Sequence, residues 1–89
     1  MQVSDQVIRR LKLLAKTARD EERKAEPAGG EQLANAKAAT LRTMSYCIGF
    51  LHGVLMGGDD CDDVESMKRT SKEARRIYDE HIEPEFLRD

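Results

Sequence analysis

The sequence predicts an all-α fold: a three-helix antiparallel bundle, assembled as a homodimer through its second helix. Three observations lead there. Ala, Leu, Glu, Lys and Arg are abundant while aromatics make up 4% and Trp is absent, a composition that favours helix over strand. Apolar residues recur at three- and four-residue spacings in three segments divided by Pro and Gly breaks. Within the second segment, Ser45, Gly49, Gly53 and Gly57 fall four residues apart inside the apolar run 44–56. Each interior Gly costs a helix roughly 0.8 to 1 kcal/mol relative to Ala. Such a run implies an offsetting gain, most simply backbone-to-backbone packing of the small-xxx-small kind.

The first helix is expected at about 4–26, with Ser4 or Asp5 as N-cap and an apolar stripe of Val7, Leu11, Leu14, Ala18 and Ala25, widened by Ile8 and Ala15. Pro27, Gly29 and Gly30 should end it, because Pro disfavours helical backbone in the residue before it and Gly permits the reversal. A second helix over about 31–56 then folds back antiparallel. It starts amphipathic through Leu33, Ala34, Ala38 and Leu41, and turns apolar on all sides from Met44, where only Ser45 and His52 interrupt the apolar and Gly residues. A helix of that kind needs cover on more than one flank.

Gly57 and Gly58 should stop the second helix, and Asp59, Asp60, Asp62 and Asp63 lead into a third at about 62–82, whose acidic start suits the helix dipole. Its expected stripe is Val64, Met67, Ala74, Ile77, Tyr78 and Ile82. Four-residue spacings pair Glu65 with Arg69, Arg69 with Glu73, Arg75 with Asp79 and Arg76 with Glu80 across a solvated face. Pro84 should end this helix and leave residues 83–89 as a short tail carrying Phe86 and Leu87, free to fold back or to reach a neighbour.

With 89 residues the chain reads as one domain, near the size at which a single core stabilises a fold by only about 3 to 5 kcal/mol, so oligomerisation is the simplest supplement. The net charge of −2 excludes a generally basic nucleic-acid binder. Cys47 and Cys61 make no disulfide framework, and Cys47 behaves as a small hydrophobe in an apolar run. With no apolar signal core and no stretch near the ~20 residues that span a membrane, the expected location is cytoplasmic, with no membrane partner.

Candidate sites are few. Ser45, Gly49, Phe50, Gly53, Val54 and Gly57 form the expected homodimer interface, with Leu51 and Leu55 adding buried area. The other reading is close packing of the Gly seam within one chain, against Ala74 or the Ala-rich side of helix one. Arg9, Lys12, Lys16, Arg19 and Arg23 lie at helical spacings opposite the apolar stripe, a single-sign ridge roughly 21 Å long. The ridge is either a solvated face or a docking surface for an acidic partner or an anion, and the absence of aromatics beside it argues against single-strand stacking.

The Asp-rich segment at 59–63 lacks EF-hand spacing and reads as a helix cap and solvated loop. Asp59-x-x-Asp62 and Glu80-x-x-Glu83 put carboxylates on adjacent turns, but no rigid pair of facing helices presents them, as metal-assisted phosphoryl chemistry needs. His52 reads as a satisfied core residue, His81 lies near the surface, and Tyr46 and Tyr78 read as packing residues. No metal, cofactor or catalytic motif is present in the sequence. The expectation is therefore a non-catalytic, regulatory or inhibitory interaction protein acting by protein–protein contact as a homo-oligomer. Two alternatives are a phage-type viral inhibitor of a bacterial defence or regulatory complex, and an anion- or nucleotide-sequestering protein that uses the ridge.

Overall fold

In the computed structural model, which describes residues 3–57 and 64–87, four helical segments succeed one another: α1 (Asp5–Ala25), α2 (Gly30–Met56), α3 (Val64–Ile77) and α4 (Glu83–Leu87), the last two joined by a π turn at Tyr78–Ile82. Among the described residues there is no strand. The all-α bundle is as expected. The Ser4 hydroxyl accepts from the Val7 N–H at 3.3 Å and caps α1. Gly29 and Gly30 turn the chain with φ of +62° and +53°, a region open to Gly and strained for side-chain-bearing residues. Gly57 closes α2 in the left-handed conformation, its N–H reaching the carbonyls of Gly53 and Val54 at 3.2 and 3.1 Å.

Two expectations about proline do not hold. Glu26, immediately before Pro27, keeps a helical backbone with φ −53° and ψ −47°; helical bonding passes the proline, with the Gly29 N–H reaching the Ala25 carbonyl at 3.1 Å, and the two glycines do the reversing. Pro84 does not end the third helix either. The chain stays helical to Leu87, and the adjustment is made one turn earlier. The Glu83 N–H donates to the Tyr78 carbonyl five residues back, which widens the turn ahead of the proline, where a regular α-turn would clash with its ring.

That extra residue also sets the phase of α4. At about 100° per residue, an unbroken α-helix would carry Phe86 roughly 150° away from the stripe begun by Ala74 and Ile77. The π turn rotates it back, and Phe86 is buried at 4% exposure, its ring 6.4 Å from that of Tyr78. Phe86 thus belongs to the bundle and Leu87 remains outside it.

The core is Leu11 and Ala15 from α1, Cys47 and Leu51 from α2, Ala74 and Ile77 from α3, Tyr78 and Ile82 from the π turn, and Phe86. α1 packs on α2 and α2 on α3, while the π turn and α4 carry the C-terminal part of the chain across to α1. The result is an elongated, thin body of 47 × 23 × 17 Å. Parts of the expected stripes stay outside it: Leu14 is partly exposed, and so are Val64 and Met67. They lie on helix flanks that no other described element covers.

Thr40 is the buried polar residue, its hydroxyl 3.1 Å from the Ala36 carbonyl and 3.3 Å from a Glu22 carboxylate oxygen. On the outer face of α3, Arg75 pairs with Asp79 at 3.0 Å and Arg76 with Glu80 at 2.9 Å, as their spacing predicts. Glu73 takes Arg76 as its partner, which holds its carboxyl below the usual range. Arg69 donates to the Ser66 hydroxyl at 3.3 Å.

Replacing Phe86 by Ala should lower unfolding stability by about 3 to 5 kcal/mol, the usual cost of removing a buried aromatic ring. Leu87→Ala, at a position 69% exposed, should stay within about 0.5 kcal/mol. Urea denaturation of the two variants separates a C-terminal segment that belongs to the core from a loose tail.

Candidate functional site

The glycine seam faces outward. Thr40, Cys47 and Leu51 mark the buried side of α2, and Ser45, Gly49 and Gly53 occupy an arc of roughly 80° on the opposite side. All three are exposed, as are Gly57 and Phe50, while Val54 is half-buried. A Cβ built on Gly49 or Gly53 meets nothing within 4 Å. Among the described residues no backbone of the same chain nestles there, so packing of the seam against Ala74 or α1 is not the arrangement the fold adopts. Leu51 is fully buried in the chain's own core, and Leu55 packs against it from the edge.

The basic ridge divides in two. Arg9 and Lys16 are exposed and Lys12 is half-buried. Arg19 instead turns into the fold, 3.3 Å from the Glu22 carboxylate that also receives Thr40, with the two side chains only 23% and 13% exposed. Arg23 is half-buried as well. The ridge flanks the bundle, and its C-terminal half is part of the seam between α1, α2 and α4, where Arg19 lines a groove with Lys37, Thr40, Phe86 and Leu87.

A surface that periodicity did not single out lies between α1 and α2 on the side away from α3 and α4. Arg10, Leu13 and Leu14 of α1 meet Tyr46 and Phe50 of α2 around an open groove of about 340 Å³. It continues past Leu14 and Tyr46 into a shallower depression bordered by Arg42 and Thr43. Leu13 is 63% exposed, Tyr46 54%, Leu14 43% and Phe50 41%. The two aromatic rings lean on each other with centroids 5.8 Å apart. No acidic residue lines either depression. The sequence does contain a signal for this: residues 6–19 and 32–56 hold no Asp or Glu, so the middle of the hairpin is a stretch of cations and apolar side chains.

Cys47 and Tyr78 are both held as their protonated forms. Burial pushes the Cys47 thiol up to about 11, the reverse of what a nucleophilic cysteine needs, and burial likewise pushes the Tyr78 phenol up to about 12. Tyr78 carries the Arg75 guanidinium 5.6 Å over its ring. His52 is half-buried on an edge of α2 and outside the core, and His81 lies 3.8 Å from Glu80. Among the described residues no group of three His, Cys, Asp or Glu converges to hold a metal ion, and no helix is long and apolar enough to cross a membrane. The acidic run at 59–63, Gly58 and Cys61 lie outside the described residues. Comparison with family models, curated proteins and solved structures found no match.

Cys47 and Tyr78 hold their protons in the fold above the ordinary values of 9.0 and 10.0, at which the unfolded chain releases them. The stability this confers is complete below pH 9 and is lost as pH rises through the window up to about 12. Urea midpoints across pH 8 to 11.5 should fall, and fall less steeply in Tyr78→Phe. On the ridge, Lys16→Glu should leave thermal stability within about 0.5 kcal/mol. Arg19→Glu, which sets a second carboxylate beside Glu22 under Thr40, should cost about 1 to 3 kcal/mol in the same melting experiment.

Proposed function

We propose that this is a non-catalytic helical interaction protein, regulatory or inhibitory in purpose, that self-associates through the outward face of α2 and acts by protein–protein contact. One observation carries the reading. Gly49 and Gly53 sit in the interior of a 27-residue helix with open space where a side chain would be, so among the described residues nothing offsets their cost. A second helix laid along the seam does so, by letting two backbones approach at close range. The flanks of the seam support it: Tyr46 and Phe50 on one side and Leu41, 64% exposed, on the other give apolar area beside the contact. A self-complementary patch on an exposed helix face is the ordinary starting point of a two-fold dimer.

The openness of the seam makes the test selective. Because a larger side chain has room in the isolated fold, Gly53→Leu should keep the helical circular-dichroism signal while shifting sedimentation velocity from dimer to monomer. Gly49→Ala should raise the stability of the isolated fold by about 0.4 to 1 kcal/mol and weaken self-association. A wild-type protein that sediments as a monomer at hundreds of micromolar, or a Gly53→Leu variant with an unchanged dimer, overturns the reading.

A further inference from the structure

We infer that the groove between α1 and α2 is a docking site for an amphipathic helix of another protein that carries carboxylates beside its apolar face. This rests on the protein-contact reading and shares Tyr46 and Phe50 with the flank of the self-association face. Its floor and walls are Leu13, Leu14, Tyr46 and Phe50, four large apolar side chains between 41% and 63% exposed on one face. Its charged members are Arg10 and Arg42, and among the described residues neither takes part in an ion pair. The absence of acid along residues 6–19 and 32–56 means that nothing in this stretch of either helix neutralises them.

Charge selects the occupant. A second copy laid groove against groove, as distinct from seam against seam, would bring the same acid-free patch against itself and set Arg10 and Arg42 near their own likeness, a like-charge arrangement that disfavours that contact. A helix with Glu or Asp flanking its apolar stripe brings carboxylates to both guanidiniums, and Arg holds carboxylates in a two-pronged geometry. Shape agrees. From Ala39 to Phe50 the groove runs about 17 Å along α2, room for three turns of helix. Two antiparallel helices with one face already covered by α3 and α4 present the other face as a straight furrow, into which a further helix packs at the usual 8 to 10 Å spacing. The paired Tyr46 and Phe50 rings and the flanking leucines then serve as pockets for residues at i, i+3 or i+4, and i+7.

The test uses three fluorescein-labelled synthetic peptides of equal length. One is a helix with leucines at i, i+3, i+4 and i+7 flanked by Glu, the second has Lys at every Glu position, and the third is the first with its order scrambled. Fluorescence anisotropy should show saturable binding of the Glu peptide, at least tenfold weaker binding of the other two, and loss of that preference in the double variant Arg10→Glu with Arg42→Glu. Leu14→Asp should also abolish capture. Sedimentation of each variant, run in parallel, separates a lost groove from a lost dimer. No binding of the Glu peptide, equal binding of the Glu and Lys peptides, or undiminished binding by the charge-reversed double variant would overturn the assignment. So would tighter association of the wild type with phosphatidylserine vesicles or an oligothymidylate than with the Glu peptide, since those results would identify a membrane or nucleic-acid face.

Discussion

Each of the three long helices places one small side chain fully inside the core, Ala15, Cys47 and Ala74, and the rest of the architecture depends on the close approach this allows. Small side chains at such positions permit a short interhelical distance, and Leu11, Leu51, Ile82 and Phe86 share the core with them. A core built this way is thin. It covers one flank of α1 and one of α2, and the body is only 17 Å across in its shortest dimension. The open faces of the hairpin are therefore a direct consequence of how the inside is packed.

Charge sorts itself by the same division. Residues 6–19 and 32–56 of the hairpin hold cations and no acids, whereas Glu73, Asp79 and Glu80 of α3 and the π turn pair with Arg75 and Arg76 at three- and four-residue spacings. Those pairs are exposed and individually weak. The unneutralised positive surface and the exposed aromatics coincide on α1 and α2. That coincidence, more than either property alone, distinguishes this face from an ordinary solvated one.

Much of the bundle was legible in the sequence because its signals are local. Ser4 as N-cap, the Gly29–Gly30 reversal and the Gly57 stop each declare themselves through backbone chemistry. The features that stayed obscure depend on register between helices. Leu14, Val64 and Met67 satisfy a helical stripe yet remain partly or mostly exposed, because periodicity states which residues share a face and not whether another element reaches it. The Gly seam was visible as a pattern, but its direction was set by Thr40, Cys47 and Leu51 on the other side of α2. The α1–α2 groove draws on two helices at once, so no single stripe announces it. Arg19 reads as one more member of a basic row until the turn of α2 that carries Thr40 is brought against Glu22.

The widened turn at Tyr78–Ile82 binds two sequence features into one. Pro84 has no N–H to give the carbonyl of Glu80, and the additional residue upstream is what lets the polypeptide pass that point without breaking while still delivering Phe86 to the interior. Removing a single residue there together with the proline would restore a regular α-helix and leave the ring facing inward; removing the proline alone and letting the turn tighten to α would throw it outward. In descent, the two should be gained or lost as a pair, so a one-residue gap opposite a missing proline is the alignment signature by which distant kin of this chain are to be recognised.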